Sequence, residues 1–365
     1  MSDLILDSLE IKNFRLFKHL EIERLGRVNL IVGKNSVGKT SLLEAIRIYA
    51  YRAFPTVIMD MLKSRNEINF EMVRSKADSN GKEWYLALRH LFYGRPDLFK
   101  DEPKFQLGPV PAKDKEETLF VDFRDVRSGL VDRIGAYLRA RKGGLDFLQD
   151  LMAETREFGY PLYTNLENYA PLWRAKGLDE VSCLFISAIG LDDNKIVDMW
   201  EEALLAGRED VVLDALRVIL QEVQRFNITP GSLKVPVVKV ENLPYPVPLR
   251  SMGEGMNRLL GIALALVNAK DGILLIDEIE SGLHYSVQPD MWRLIFETAA
   301  KLNVQVFATT HSWDCIEAFQ EAAEAYPEEG VLISLRRKQQ EEGIAAVLFD
   351  EKDLESVTRS YIEVR

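Results

Sequence analysis

The sequence predicts an α/β protein: a mostly parallel sheet, an antiparallel β part at the N-terminus, and an inserted, mainly helical subdomain. Three observations predict it. The run ILLI stands without polar interruption, as a strand covered on both faces requires, and VQVFATTH reads as a second buried strand. These runs alternate with stretches of helical period, the order of a parallel sheet flanked by helices. The first thirty or so residues instead alternate polar with apolar positions and turn back on themselves, the pattern of paired antiparallel strands.

In chain order, residues 4–32 read as strands. LILDSLEIKNF alternates, LFKHLEIERL pairs back on it, and RVNLIV is a short apolar run that stops at Gly33. GKNSVGKTSLLEAIRIYAYRAF is a loop that passes into an amphipathic helix. From 56 to 230, WYLALRHLFYG and ETLFVDFRDV have strand character. GGLDFLQDLMAETREFG and KIVDMWEEALLAGREDVVLDALRVILQEVQRFN have the apolar spacing of helices, which makes this a packing unit without chemistry of its own. Beyond 230, VPVVKV is a strand and MGEGMNRLLGIALALVN a glycine-opened helix. The strand GILLIDEI, the helix YSVQPDMWRLIFETAAKLN, the strand VQVFATTH and the helix WDCIEAFQEAAEAY follow, and GVLISLRR and IAAVLFD close the fold. The expected organisation is one domain from 1–55 and 231–365, interrupted by a second from 56–230.

Composition narrows the function classes. A chain of 365 residues exceeds what a single core usually serves, consistent with two lobes. Its 46 basic and 57 acidic residues give a net charge of −11, so bulk attraction to DNA or anionic membrane is excluded. Nucleic-acid contact would need a local basic patch. The two cysteines, Cys183 and Cys315, are too few for a disulfide framework or a cysteine-based zinc site. The opening MSDLILDSLEIKNF lacks a basic start and a long apolar run, and no stretch suits a membrane-spanning helix. The expectation is a cytoplasmic protein with no membrane association.

Four constellations carry chemistry. In Gly33-Lys34-Asn35-Ser36-Val37-Gly38-Lys39-Thr40, a strand ends in a glycine turn whose N–H groups point inward at phosphate oxygens, and a helix N-terminus follows. Lys39 can reach the β- and γ-phosphates and the Thr40 hydroxyl can ligate Mg²⁺. Gly33, Asn35, Ser36, Gly38, Lys39, Thr40 and Ser41 are therefore nucleotide-binding candidates. Asp277 and Glu278 end a buried strand, where open α/β sheets bind ligands. There Asp277 can hold Mg²⁺ and Glu278 can orient or deprotonate the attacking water. Thr309-Thr310-His311-Ser312 ends the next buried strand, bringing an imidazole to the same edge as a donor to phosphate or water. Ser251-Met252-Gly253-Glu254-Gly255 opens a helix and forms a second anion site. One chain cannot bring both anion sites to one γ-phosphate from opposite sides, so the second would come from another subunit.

The set GKNSVGKT, SMGEG, ILLIDEIESGLH and TTHS, in this order, resembles the ABC-type ATPase heads of the RecF, SMC and OLD group. The opening IKNFRLFKHLEI is similar to that group's I-x-N-F-R start. The resemblance covers roughly residues 4–54 and 235–340 and leaves the middle unmatched. It implies a P-loop NTPase fold with ATP and Mg²⁺ as ligands. Lys39 and Thr40 are then the Walker A residues, Asp277 and Glu278 the Walker B pair, and His311 the switch histidine. Glu278, His311 and Lys39 form the catalytic set, and Thr40 and Asp277 the metal ligands. Ser251, Gly253 and Gly255 match the signature that contacts the partner subunit's ATP, and Glu280-Ser281-Gly282-Leu283-His284 the D-loop at the dimer seam. Arg15 matches the arginine of the N-F-R motif near the nucleotide.

The chain departs from the pattern in three places. No Q-loop glutamine is evident, since Gln106 alone lies between Lys39 and Gln149 and in no telling context. SMGEG replaces the transporters' LSGGQ, and no paired long helices form an SMC-like arm. Only 53 residues follow Ser312, without the separated Glu and D-x-D set of the TOPRIM nuclease that OLD proteins carry. The resemblance is thus to stand-alone OLD-like AAA-family ATPases, implying a homodimer or higher oligomer that works with a separately encoded nuclease or toxin in antiphage defence. The rival readings are a RecF-like DNA-repair clamp and a nucleotide-binding scaffold with little turnover. Arg133, Arg139, Arg141 and Lys142 are the candidate DNA patch.

Overall fold

The structure is a computed structural model that describes residues 4–67, 70–74, 82–86, 88–110, 117–127, 134–142, 145–150, 181–230, 234–327, 329–338 and 342–349. It opens with the hairpin β1 (Leu9–Phe14) and β2 (Phe17–Ile22), then β3 (Val28–Val32), α1 (Lys39–Ala50) and α2 (Pro55–Ser64). Strands β4 (Phe70–Arg74) and β5 (Lys82–Leu86), the short α3 (Leu98–Asp101), β6 (Lys104–Gly108), β7 (Leu119–Arg127), β8 (Ile134–Lys142) and β9 (Leu145–Asp150) follow. After β10 (Cys183–Ile186) come α4 (Asp193–Leu205), α5 (Glu209–Ile219), β11 (Val223–Ile228), β12 (Pro236–Val240) and β13 (Val247–Pro248). The chain ends through α6 (Glu254–Asn268), β14 (Ile273–Ile276), α7 (Gln288–Leu302), β15 (Gln305–Thr309), α8 (Trp313–Ala323), β16 (Gly330–Arg337) and β17 (Ile344–Phe349).

The main sheet runs β10-β14-β15-β3-β16-β17 and is parallel except for the β16–β17 pair. Its central strands β3, β14 and β15 are buried along their whole length, with the polar Asn29, Gln305 and Thr309 buried among the apolar residues. Alternate residues feed two cores. Ile31, Leu275, Phe307 and Ile333 pack with α1 and the antiparallel lobe, while Leu30, Ile276, Ala308 and Leu332 pack against α6, α7 and α8. The second sheet, β2-β1-β6-β7-β8-β9, is antiparallel throughout. Its β1 alternates as expected at Leu9 and Ile11, until Asn13 at φ 57° shifts the next buried position to Phe14.

The middle of the chain departs from the mainly helical expectation. Among its described residues it supplies four strands, β6 to β9, to the antiparallel sheet begun by β1 and β2. It also supplies β10 to the main sheet, so residues 56–230 are not separate from the parallel core. Leu145–Asp150, expected as helix, is a strand because it pairs with β8, Tyr137 opposite Asp150 and Lys142 opposite Leu145. The continuation of that expected helix from 151 lies outside the described residues. The long helix expected to end at 227 instead breaks at Gly207, whose φ of 64° ends α4. Its last part, Val223–Ile228, becomes a strand through pairing with β12. In WYLALRHLFYG the strand stops at Leu86, and Leu88–Leu91 form a 3-10 turn.

This topology positions one site. Strands β14, β15 and β3 are parallel neighbours in register, with Ile276 beside Ala308 and Ala308 beside Leu30. Their carboxyl ends therefore open on one edge of the sheet, where ligands bind in folds of this type.

Candidate nucleotide-binding site

At the end of β3 the chain turns through Gly33 at φ 147°, Ser36 at 61° and Gly38 at 99°, conformations that turn backbone N–H groups inward. Both glycines are required sterically. A Cβ at Gly33 would stand 2.6 Å from the Leu335 carbonyl oxygen, and one at Gly38 would stand 2.8 Å from Phe17 Cζ. Helix α1 begins at Lys39 with no side-chain cap on its N–H groups and no acidic residue in its first turn. That terminus is therefore open to an anion.

Lys39 is buried, and its Nζ donates to the Gly33 carbonyl at 2.8 Å and the Lys34 carbonyl at 3.3 Å. The ammonium thus closes the loop on itself, 3.3 Å from His311 Nδ1. Burial pushes its pKa down, against the attraction of Asp277, Glu278 and Glu280. The Thr40 hydroxyl donates to Asp277 Oδ2 at 3.1 Å. A hydroxyl and a carboxylate meeting at this distance are hard oxygen donors of the kind that hold Mg²⁺. Glu278 and His311 approach to 4.0 Å, and both side chains are partly open to the cleft.

The cleft measures about 390 Å³ and is lined by Ser36, Gly38, Lys39, Thr40 and Ser41 on one side and Asp277, Glu278 and His311 on the other. Arg15, Arg65, Glu67, His90, Phe92 and Arg95 of the antiparallel lobe complete the wall. Arg15 sits in the β1–β2 turn, ion-paired to Glu44 at 2.7 Å and Glu67 at 2.9 Å, while its buried Nη2 makes no hydrogen bond among the described residues. Gly33 closes the loop from behind, and Asn35 is exposed; neither lines the cleft.

The expected signature lies elsewhere. Ser251 is exposed in a 3-10 turn over Leu249–Met252, Gly253 has φ 96°, and α6 starts at Glu254. None of Ser251, Gly253 and Gly255 lines the cleft of its own chain. Gly255 packs on the D-loop segment, where a Cβ would come 3.0 Å from the Gly282 carbonyl. Gln106 is on β6 beside Lys12 and away from the cleft, and the loop after β10, Ser187 to Leu191, contains no glutamine. Of the candidate DNA patch, Arg139, Arg141 and Lys142 fall on β8 and Arg133 lies outside the described residues.

Sequence reasoning did not foresee three contacts, of Thr309 and Glu280 inside named motifs and of Arg258 outside any. Thr309 Oγ1 donates to Asp277 Oδ1 at 2.6 Å and accepts the Glu278 N–H at 2.8 Å. Glu280 accepts the His311 N–H at 2.8 Å, fixing the loop that carries the imidazole. Arg258, buried on α6, donates to the carbonyls of Asp277 and Glu278. A lone charge inside the apolar run MNRLLGIALALV was the available signal for Arg258.

Comparison with known proteins agrees with this geometry. The family described as "AAA domain, putative AbiEii toxin, Type IV TA system" matches residues 28–314. An "ATP/GTP phosphatase" of Helicobacter pylori is 23% identical over 86% of this chain and 87% of its own length. The "DNA replication and repair protein RecF" of Bacillus subtilis is 23% identical over 86% of this chain and 95% of its own. Among solved structures, an Smc head bound to the C-winged helix domain of ScpA superposes with a TM-score of 0.52 at 12% identity, covering 94% of this chain and 98% of that one. No helix among the described residues is long and apolar enough to cross a membrane. With a family match over most of its length and this arrangement of strand ends, the chain belongs to the AAA-domain family so described and has the fold of the ABC-type ATPase heads of the RecF/SMC group.

Proposed function

We propose that the cleft binds ATP with Mg²⁺ and hydrolyses it, and that the cycle of binding and cleavage works as a switch between an open chain and a nucleotide-sandwich dimer. The observation that carries this reading is the convergence of Lys39, Thr40, Asp277, Glu278 and His311 at the ends of three adjacent parallel strands. Backbone N–H groups of the loop and the start of α1 would hold the β- and γ-phosphates, with Lys39 as the point cation. Thr40 and Asp277 would hold Mg²⁺, which neutralises charge on the β- and γ-oxygens when bound. Glu278, open to the cleft, would orient the attacking water and take its proton, with His311 as a donor beside it.

Ser251 and Gly253, exposed and outside the cleft of their own chain, support the sandwich, since they can meet a second subunit's nucleotide. The role in antiphage defence beside a separate effector rests on the resemblance to stand-alone OLD-like ATPases, and the family description adds that a toxin of a type IV toxin–antitoxin system shares this domain. A RecF-like clamp is the second reading, favoured by relatives of that name that align over most of this chain. Salt separates them: with a net charge of −11, DNA contact confined to a patch would be weak and fall steeply with ionic strength, whereas a clamp would retain it.

The test of the enzymatic core is phosphate release from wild type, Lys39→Ala and Glu278→Gln. Glu278→Gln is expected to bind ATP and lose turnover by about 100-fold or more, and Lys39→Ala to lose tight binding. A wild-type chain that binds ATP without releasing phosphate sinks the hydrolytic reading.

A further inference from the structure

Arg258 is buried in the second turn of the apolar helix α6, and its guanidinium faces main-chain carbonyls. Nη1 donates to Ser187 O at 2.7 Å, and Nη2 donates to Asp277 O at 2.7 Å and Glu278 O at 2.8 Å. Nε reaches Ile279 O at 3.5 Å. Among the described residues no carboxylate lies within ion-pairing distance. Glu280, Asp277 and Glu278 attract the charge from farther off, yet burial outweighs them and pushes the Arg258 pKa down, so an apolar residue here would serve the packing of α6 better. The position therefore calls for a reason other than stability.

The reason lies in the backbone that Arg258 grips. Glu278 has φ 48°, the left-handed region that side-chain-bearing residues rarely occupy. Such a conformation persists only where the surroundings over-determine it, and it clusters at functional sites. On its amide side the kink is held by β15: the Glu278 N–H reaches Thr309 Oγ1 at 2.8 Å, and the Ile279 N–H reaches Thr309 O at 3.0 Å. On its carbonyl side it is held by Arg258. The same arginine anchors the end of β10 through Ser187, and its helix begins at the Gly253–Gly255 segment that packs on Gly282. A displacement of α6 is thus delivered to the carbonyls on either side of the Glu278 Cα.

We infer that Arg258 is a positioning residue for hydrolysis: it aims the Glu278 carboxylate at the attacking water and couples the placement of α6 to that aim. This rests on the ATPase reading above. The planar fork is essential, because an ammonium cannot meet Ser187, Asp277 and Glu278 together.

The experiment measures ATP affinity and single-turnover cleavage per bound nucleotide for wild type, Arg258→Met, Arg258→Lys and Glu278→Gln. Misalignment of a reacting group costs about 100-fold, so Arg258→Met is expected to lose that much turnover while its ATP dissociation constant stays within about twofold, Lys39 and Thr40 being untouched. Arg258→Lys, which keeps the charge and guards against a variant that fails to fold, is expected to bind ATP normally and lose at least about tenfold in turnover. Wild-type turnover in either variant overturns the inference, as does a parallel loss of affinity and turnover, the mark of a merely structural role. Failure of the underlying reading looks different: wild type itself then cleaves no faster than Glu278→Gln.

Discussion

Thr309 and Asp277 are joined by a 2.6 Å hydrogen bond across the tips of β15 and β14. The Thr309 hydroxyl donates to Oδ1, while Oδ2 of the same carboxylate accepts the Thr40 hydroxyl at 3.1 Å. Asp277 is therefore oriented by two hydroxyls from the two strand-end segments on its inner side. Because Thr309 Oγ1 also accepts the Glu278 N–H, one buried hydroxyl sets the attitude of both acidic residues.

Thr309→Val preserves shape and removes that hydroxyl. It leaves the Glu278 N–H without an acceptor and frees Asp277 to rotate, at an expected cost of about 1–3 kcal/mol in stability. Urea unfolding reads the stability, and a magnesium titration of ATP cleavage reads the loosened carboxylate as a higher half-saturating concentration. Thr309→Ser is expected to restore both. A valine variant with unchanged magnesium dependence would show that Asp277 is held by other means.

Lys39 gives the site an alkaline limit. Burial holds its pKa below the ordinary 10.5, against the pull of Asp277, Glu278 and Glu280. In the window between the lowered value and 10.5 the unfolded chain carries more protons than the folded one, so this group makes the nucleotide-free protein more stable as pH rises. Nucleotide binding has the opposite sign, since the phosphates need the ammonium charged. ATP affinity is expected to begin falling below pH 10.5, with proton uptake on binding that varies with buffer ionisation heat in calorimetry. Lys39→Met, weak at every pH, should show no such limb.

Glu44 tests the other wall of the cleft. One turn beyond Thr40 on α1, it is ion-paired with Arg15 Nε at 2.7 Å and accepts a hydrogen bond from Arg65 Nε at 2.7 Å. Removing its carboxylate by Glu44→Ala leaves buried Arg15 with Glu67 as its one ion partner among the described residues, an expected loss of about 3 kcal/mol. Chemical denaturation measures it. Glu44→Gln, which keeps an acceptor, should cost less, and equal losses would argue that packing rather than charge dominates there.

These contrasts show what the sequence could carry. Gly33 to Ser41, Asp277-Glu278 and His311 are legible because each is a short contiguous pattern whose geometry follows from a strand end. Thr309 stood inside a noted motif, yet its role comes from a neighbouring strand. Glu44 and Glu67 meet Arg15 across separations that no local periodicity encodes. Strands β9 and β11 were misread as helix for a related reason, since pairing with β8 and β12 decides their state over local spacing. Gly207 was the visible signal that one long helix could not be continuous.

The last prediction concerns assembly. Ser251, Gly253 and Gly255 stand outside the cleft of their own chain, with Ser251 and Gly253 exposed, so in a sandwich they would face nucleotide held by Lys39 of the other subunit. If so, ATP is itself part of the interface, and a variant that holds ATP without cleaving it should populate the closed dimer by mass action. Glu278→Gln keeps the shape of the side chain and removes the base, so light scattering should register a higher mass for it with ATP and Mg²⁺ than without. Adding Ser251→Arg fills the space a phosphate would take, and closure should fail while binding to the Lys39 loop survives, because that loop contains no atom of Ser251. Assembly that ignores nucleotide, or that tolerates Ser251→Arg, would remove the sandwich from the mechanism and leave the cleft as a site that works within one chain. For a chain that is already dimeric without nucleotide, the readout becomes the distance between labels at the exposed Tyr245 and at Lys34 across the seam, which should shorten with ATP in Glu278→Gln and stay long in the double variant.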